Sequence, residues 1–181
     1  MNKLIITIVL IGLFLFLVSP VLAENISGQS ASLTYKTENS ITNYKKKLAI
    51  EAVLKKYRSP LVNQVDSFLQ TCEKYQLDCY LLPAIAGLES TFGRFIWPNS
   101  YNPFGWGRGY LMFESWPESI NAVAKGLRDN YVKKGAVDVY AIGPIYSESP
   151  TWAARVTRFI NEFEKEETKL TLLSSEFPVE L

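Results

Sequence analysis

The sequence predicts a mainly helical fold with a small loop or hairpin lobe, and two observations lead to this prediction. Apolar residues recur at helical spacing over most of the chain from Tyr44 onward, whereas residues 93–109 lose that period and are rich in Gly, Pro, Asn and aromatic residues. Signals that begin helices, in which serine precedes proline or opens a capping box, occur at Ser59, Ser115 and Ser149. The length of 181 residues is enough for one domain of ordinary size.

The N-terminal segment has the pattern of an export signal, which we assign to residues 1–23. Lys3 supplies a positive charge, residues 4–18 are an uncharged and mostly apolar run of 15 residues, and Ala23 ends a cleavage pattern. The alternative is an uncleaved membrane anchor, although the run is short for a span of ~20 residues. The polar residues 24–43 predict a flexible tether. We therefore expect a secreted, periplasmic or cell-wall-associated protein that contacts a membrane only through this segment, if it stays uncleaved.

Two amphipathic helices are expected to open the domain, which we assign to residues 44–167. The first carries Leu48 and Ala52 on its apolar stripe and lysines on its opposite face. The second begins with Ser59 as its N-cap and Pro60 in its first turn. Its apolar stripe consists of Leu61, Val65, Phe68, Leu69 and Cys72.

The third predicted helix is apolar on nearly all sides, which is typical of a helix buried at the centre of a domain. Asp78 is a candidate cap, and Pro83 places the regular helix a few residues later, because proline lacks an N–H and belongs in a first turn. The helix runs through Leu82, Ile85, Ala86 and Leu88 and ends in a single acidic residue, Glu89.

Three further helices are expected after the lobe. The capping box at Ser115 and Glu118 opens the first, for which Gly135 is a good C-terminal stop, and a shorter segment covers residues 138–146. Ser149 and Pro150 open the last helix, whose apolar residues end at Phe163. The helical period fades after Thr168, so we interpret residues 168–181 as a tail.

The composition excludes several classes of site. The chain contains no histidine, which removes the Ser-His-Asp triad, the Cys-His pair and the HExxH zinc site. Two cysteines without histidine do not complete a structural zinc site, so no metal or other cofactor is expected. Lys and Arg number 19 against 18 for Asp and Glu, a balance that argues against nucleic acid as a partner.

The two cysteines lie close together in the sequence. Cys72 ends one predicted helix and Cys79 begins the next, and a helix–turn–helix corner can bring two Cα atoms within the ~4.4–6.8 Å that a disulfide requires. Exported proteins can oxidise such a pair. We favour a disulfide between Cys72 and Cys79, and the alternative is two buried thiols.

Glu89 is the first candidate for a catalytic residue. It lies where an apolar helix gives way to a loop rich in glycine and aromatic residues, and partial desolvation there would favour the protonated carboxyl. A protonated carboxyl is what a general acid at a glycosidic oxygen requires. The alternative is a helix-end acid that pairs with Arg94 or hydrogen-bonds the loop.

Aromatic residues are concentrated directly after Glu89, with nine of them among the 25 residues from Phe92 to Trp116. Sugar rings present flat C–H faces that aromatic walls can hold, while Asn and Arg bind the hydroxyl and N-acetyl groups. Trp97, Tyr101 and Trp106 are therefore candidates for substrate binding. The alternative is that about half of these rings form a small core for the lobe itself.

Four sequence elements in order resemble the mannosyl-glycoprotein endo-β-N-acetylglucosaminidase-like family, which includes peptidoglycan glucosaminidases within the lysozyme-like superfamily. The segment 82–93, LPAIAGLESTFG, resembles the catalytic helix that ends in Glu-Ser, and 99–106, NSYNPFGW, resembles the Asn-x-Phe-Gly element. Phe113 with residues 116–120 resembles the next helix start, and 146–153, YSESPTWA, has the spacing of the element Tyr-Ala-Thr-Asp-Pro-x-Tyr-Ala. The similarity covers approximately residues 66–163.

The resemblance implies a lysozyme-like helical domain that cleaves β-1,4 bonds of peptidoglycan glycan strands, and we expect it to act as a monomer. Glu89 falls on the catalytic acid of the family, Tyr146 on its active-site tyrosine, and Asn102 and Phe104 on the loop that lines its cleft. The sequence departs from the family where Glu148-Ser149 replaces Thr-Asp, and the lobe that often supplies a second acid is short.

Three functions remain open from the sequence. The first is an endo-β-N-acetylglucosaminidase that uses Glu89 as general acid, in which the N-acetyl oxygen of the substrate stabilises the cationic centre and Tyr146 orients or assists that group. The second is a lytic transglycosylase, which uses the same acid but closes an anhydro ring instead of admitting water. The third is a cell-wall glycan-binding module that keeps the cleft without turnover.

Overall fold

The computed structural model describes residues 40–176, with side chains described for residues 40–173. The predicted export signal at 1–23, most of the tether predicted at 24–43 and the end of the predicted tail lie outside the described residues. Contacts group the described residues from Thr42 onward into one compact unit. It is mainly helical, as predicted, and residues 40–176 contain no strand, so the lobe is a loop rather than a hairpin.

Six α-helices and two short 3₁₀ segments build the described part of the chain. The 3₁₀ segments, Pro60–Gln64 and Val132–Lys134, precede and follow longer helices without an intervening loop. Within residues 40–176, none of the helices combines the length and the apolar character needed to cross a membrane. The helices are α1 (40–56), α2 (Val65–Tyr75), α3 (Leu81–Ser90), α4 (Trp116–Asn130), α5 (Val139–Tyr146) and α6 (Trp152–Glu176).

Two of the three predicted helix-start signals, at Ser59 and Ser115, act through the expected side chains. The Ser149 side chain instead contacts the Thr151 hydroxyl and, among the described residues, caps no backbone N–H. Ser59 Oγ accepts a hydrogen bond from the Leu61 N–H at 2.9 Å, and Ser115 Oγ accepts one from the Glu118 N–H at 3.3 Å. The capping box is modified, because the Glu118 carboxylate accepts from the N–H of Glu114 rather than from that of Ser115. Each bond satisfies one of the backbone donors that a helix N-terminus leaves without an intrahelical partner.

Helix boundaries differ from the sequence prediction at three places. Residues 40–43, predicted as tether, already belong to α1, and α6 continues to Glu176, well past the predicted end at Thr168. Helix α4 ends at Asn130, and the 3₁₀ segment Val132–Lys134 separates it from the predicted stop at Gly135. Hydrophobic periodicity reports only the part of a helix that packs on a core. Beyond it, Glu and Lys favour the helix by intrinsic propensity, and the exposed ion pair of Lys169 with Glu166 at 2.7 Å lies in this part of α6.

Helix α3 is the buried centre of the unit, with every residue from Leu81 to Gly87 buried, and it packs against α6. Gly87 is required for this packing, since a Cβ there would lie 2.7 Å from the ring of Phe92. Phe92 itself is fully buried and packs edge-on against Phe159 of α6, with ring centroids 5.2 Å apart. The chain therefore folds back on α3 immediately after the helix ends.

A disulfide joins Cys72, near the end of α2, to Cys79, just before α3. The Cα atoms are 5.0 Å apart, within the range expected for a helix–turn–helix corner. Because α3 carries Glu89 at its other end, the bridge anchors the N-terminal side of the helix that presents the candidate acid.

Candidate active site

Glu89 lies at the C-terminal end of α3, at the point where the buried helix reaches the surface. Glu89 is exposed as a residue, so the desolvation predicted from the sequence is present only at its part-buried bond to Trp152. The physical reason is that Leu88 and Glu89 lie on the side of α3 that faces away from the core, whereas the following Ser90 is buried again. The predicted pairing with Arg94 is also not formed: Arg94 instead reaches the backbone carbonyl of Tyr57, at 3.5 Å.

One oxygen of Glu89 is held by the indole of Trp152. The Nε1–H of Trp152 donates to Glu89 Oε1 at 2.7 Å, and Trp152 is 3% exposed at the first position of α6. A buried indole N–H needs a hydrogen-bond partner, and the partner here is the carboxylate. The sequence places Trp152 on the apolar stripe of the last helix, and its spacing from Tyr146 is the signal that could have linked it to the site.

The second oxygen of Glu89 faces the backbone of the lobe at Gly105. A Cβ added to Gly105 would lie 3.0 Å from Glu89 Oε2, and Gly105 has φ +64°. Both facts favour glycine, since an L side chain would be strained in this conformation and would also press on the carboxylate. Gly105 therefore lets the loop pass close beside Oε2 of Glu89 without a side chain that would crowd this oxygen.

Tyr146, the second predicted catalytic residue, lies beside Glu89, but its hydroxyl is already engaged. Tyr146 Oη donates to the carbonyl oxygen of Phe104 at 2.6 Å, and its ring stacks on Trp152 with centroids 4.7 Å apart. Burial, reinforced by the negative charge of Glu89, raises the pKa of Tyr146 well above its usual value, so the hydroxyl remains a donor. Tyr146 therefore positions the loop backbone at Phe104.

Ser90 ties the end of α3 to the same loop. Its Oγ lies 2.7 Å from the carbonyl oxygen of Pro103 and 3.0 Å from that of Ala86, and it accepts the N–H of Gly93 at 2.8 Å. The sequence contains the Glu-Ser pair, but it gives no sign of this bracing role. Ser90 and Tyr146 thus hold two successive carbonyls of the loop, those of residues 103 and 104.

Asn102 was predicted to bind substrate, and the structure gives it a different role. It is 4% exposed, its Nδ2 donates to the carbonyls of Trp106 and Leu111 at 2.8 and 3.1 Å, and its Oδ1 accepts from the Trp106 N–H at 3.1 Å. Both of its amide hydrogens are used inside the lobe. Asn102 therefore fixes the loop, and the predicted direct contact with substrate is not supported.

Phe104 also belongs to the core rather than to a substrate surface. Its side chain is 0% exposed, so a glycan cannot reach the ring, and the predicted substrate contact is wrong for this residue. A fully apolar ring is more stable buried among the helices than exposed in a cleft. What Phe104 offers to the site is its carbonyl, which accepts the hydroxyl of Tyr146.

The three remaining predicted substrate contacts occupy different places. Trp106 lies against α4, where a Cβ on Gly126 would approach its ring to 2.6 Å, and it lines a cavity next to Glu89. Trp97 is 65% exposed and Tyr101 packs edge-on against Trp116, with centroids 5.2 Å apart. Neither Trp97 nor Tyr101 lines that cavity, so of the three predicted contacts only Trp106 belongs to it.

The cavity that Trp106 lines has a volume of about 220 Å³ and adjoins Glu89 through Gly105 and Tyr146. The wall is aromatic, and no carboxylate is part of the lining that the described residues form. Sequence reasoning missed Tyr131 and Arg108, which lie outside the quoted family elements. The lining residues are Gly105, Trp106, Gly107, Arg108, Tyr131 and Tyr146.

The sequence matches no protein-family model and no curated protein. The residues of the site itself are therefore the basis for its function.

Proposed function

We propose that this protein is an exported, lysozyme-like peptidoglycan hydrolase that cleaves β-1,4 glycosidic bonds as an endo-β-N-acetylglucosaminidase. The observation that carries the proposal is the setting of Glu89. Its side chain is exposed, one oxygen is held by the Trp152 N–H at 2.7 Å, and the other lies beside Gly105, where any side chain would crowd it. The disulfide of Cys72 with Cys79 is in keeping with an oxidising compartment outside the cytoplasm.

Glu89 acts as the general acid in this proposal. Because Oε1 accepts the indole N–H, we assign the proton of the neutral carboxyl to Oε2, the oxygen that lies beside Gly105. That proton moves to the glycosidic oxygen as the bond between this oxygen and the anomeric carbon breaks. A glycan strand lying over Glu89 would exclude water and supply the desolvation that the free protein lacks.

The positive charge that develops at the anomeric carbon requires a partner. No carboxylate lines the cavity beside Glu89 in the described part of the chain. We assign the partner role to the substrate, whose N-acetyl oxygen bonds to the anomeric carbon when the leaving group departs. Water then attacks that carbon, the N-acetyl oxygen is released, and the Glu89 carboxylate takes the proton of the water. The acid is thereby restored for the next cycle.

The surrounding residues keep this geometry in place. Tyr146 and Ser90 hold the carbonyls of residues 104 and 103, and Trp152 fixes the plane of the Glu89 carboxylate. A catalytic carboxyl that is displaced by about 1 Å can lose a factor of ~10² in rate, so such braces contribute to catalysis without touching substrate. Trp106 offers an aromatic face to a sugar ring next to the acid.

Mass spectrometry of the soluble products from purified peptidoglycan sacculi tests the proposal. Fragments that have gained water and carry N-acetylglucosamine at the reducing end support it. Anhydro ends would show a lytic transglycosylase, a reducing N-acetylmuramic acid would show a muramidase, and intact glycan with measurable binding would show a binding module. Each of these three outcomes contradicts the proposed activity, and the Glu89→Gln protein serves as the blank for contaminating hydrolases.

A further inference from the structure

The cavity beside Glu89 contains a cationic side chain that the proposed cleavage chemistry does not use. Arg108 is exposed and is the only charged residue in the lining formed by the described residues. No ion pair or hydrogen bond holds its guanidinium within that part of the chain. An unpaired guanidinium in a cavity presents planar N–H donors that match a carboxylate.

The backbone at Arg108 points to the same role. Arg108 has φ +59° and lies between Gly107 and Gly109, which also have positive φ values of +61° and +82°. This left-handed conformation is less favourable for arginine than for glycine, so the backbone alone does not account for an arginine here. The turn conformation thus places the arginine at the rim of the cavity, at a position where glycine would be less strained.

Three aromatic rings complete the cavity. Trp106 lies 5.6 Å from Tyr146 and 6.1 Å from Tyr131, measured between ring centroids. Burial raises the pKa of Tyr131, so its hydroxyl stays protonated and can donate a hydrogen bond. The volume of about 220 Å³ is smaller than the ~300–1,000 Å³ of pockets that enclose a whole drug-sized ligand, so it suits one ring of a polymer.

We infer that this cavity receives a carboxylate-bearing sugar unit of the glycan strand, with Arg108 contacting the carboxylate and the aromatic rings contacting the sugar. The inference rests on the proposed function and specifies its substrate. In peptidoglycan, a carboxylate can come from the lactyl group of a muramic acid whose peptide has been removed. It can also come from the peptide that an intact unit carries. Both sources share the chemistry that Arg108 recognises.

Three forms of one glycan preparation test the inference. The first is peptide-free strands with a free lactyl carboxylate, the second is the same strands with that group converted to a neutral methylamide, and the third is peptide-bearing strands. The variants are Arg108→Gln, which removes the charge, and Arg108→Lys, which keeps it. Arg94→Gln is the matched control, because Arg94 is also an exposed arginine of the lobe but lies outside the cavity lining.

We expect Arg108→Gln to lower kcat/KM by about tenfold or more on strands with a carboxylate and to leave cleavage of the methylamide strands unchanged. Arg108→Lys should retain part of the activity, and Arg94→Gln should match the parent protein on all three substrates. A loss confined to peptide-free strands identifies the lactyl group as the source, and a loss confined to peptide-bearing strands identifies the peptide. Either result supports carboxylate recognition, whereas an equal loss on the methylamide strands would overturn it.

Binding separates this inference from the proposed cleavage. Tryptophan fluorescence titrations of the Glu89→Gln protein, with and without Arg108→Gln, report affinity for each strand without turnover. If the parent protein cleaves no glycan, the proposed function fails, but a carboxylate-dependent affinity that requires Arg108 would still support the inference. If the parent protein cleaves all strands equally and Arg108→Gln changes no affinity, the inference fails and the proposed function stands.

Discussion

The segment 99–106 and the two exposed turns at 94–98 and 107–112 belong to the same lobe and have similar compositions, yet they differ in how they are held. Buried side chains and hydrogen bonds fix the first, through Asn102, Ser90 and Tyr146. The turns carry large side chains that point into solvent, among them Trp97 at 65% and Tyr110 at 77% exposure. The aromatic residues of the lobe therefore divide into a structural set and an accessible set.

This comparison shows that composition alone does not identify a binding surface. Phe104 and Trp97 would contribute equally to an aromatic count, but one is part of the core and the other is available to a ligand. The difference lies in the neighbouring backbone, because a ring can be buried only where the polar groups beside it find partners. Substitutions in the structural set should therefore lower stability, whereas substitutions in the accessible set should lower the affinity for glycan.

The largest change in stability is expected at the centre of the braced segment. Phe104→Ala removes a fully buried ring and should lower the free energy of unfolding by about 3–5 kcal/mol. Urea unfolding followed by circular dichroism measures this loss. Tyr110→Ala, at an exposed ring of the neighbouring turn, is the control and should change stability by about 0.5 kcal/mol or less. Equal losses in the two proteins would remove the distinction between the sets.

Asn102→Ala tests the polar part of the same segment. The change leaves the carbonyls of Trp106 and Leu111 and the N–H of Trp106 without their side-chain partner, at a cost of about 1–3 kcal/mol in the free energy of unfolding. Asn161→Ala, at an exposed position of α6, should be nearly neutral. If Asn102→Ala abolished glycan binding at full stability, the amide would be a ligand contact after all.

Tyr146→Phe has a smaller expected effect on stability and a separate effect on activity. It removes one hydrogen bond to the Phe104 carbonyl, worth about 0.5–1.5 kcal/mol, and keeps the ring that stacks on Trp152. Because that carbonyl precedes Gly105, which lies beside Glu89, we expect the turnover of fully folded protein to fall by about tenfold as well.

Tyr80→Phe is the matched control for this change. The Tyr80 hydroxyl also makes one short hydrogen bond, to Glu167 at 2.6 Å, but at the opposite end of α3 from Glu89. Turnover measured well below the melting temperature should fall for Tyr146→Phe and stay unchanged for Tyr80→Phe. A parallel response of the two proteins would reduce Tyr146 to a purely structural residue.

The smallest effect on folding is expected for Trp97→Ala. Since the ring is largely exposed, the melting temperature should hardly change, while the affinity for glycan strands should fall by about threefold to tenfold if the exposed set contacts the polymer. Val137→Ala replaces an exposed apolar side chain outside the lobe and serves as the control. An unchanged affinity of Trp97→Ala in a titration would exclude this ring from the binding surface.

The helical architecture was predictable because it depends on local signals. Ser59 and Ser115 cap the chain where the sequence indicates, and the apolar character of residues 81–88 predicts the buried α3. The helical state of residues 40–43 and of residues 169–176 was not predictable from periodicity, because those turns extend beyond the core. Local propensity and capping thus determine most of the helices in the described part.

The site was predictable only at its centre. Glu89 follows from its place at the end of an apolar helix, but its exposure and its bond to Trp152 depend on how α6 packs. Asn102 and Phe104 have residue types that suit sugar binding, and only the tertiary structure shows that one braces the loop and the other is buried. Arg108 could not be found from the sequence, since the cavity that it lines also requires Tyr131, directly after α4.

The activity of the Glu89→Gln protein on purified sacculi is the most direct test of the central claim that Glu89 is the general acid. The amide keeps the shape of the side chain but has no acidic proton to donate, so the cleavage rate should fall by ~10²–10⁴ while the melting temperature stays nearly unchanged. Glu164→Gln, at an exposed carboxylate of α6, should cleave at the parent rate. Near-normal turnover by folded Glu89→Gln protein would contradict the account.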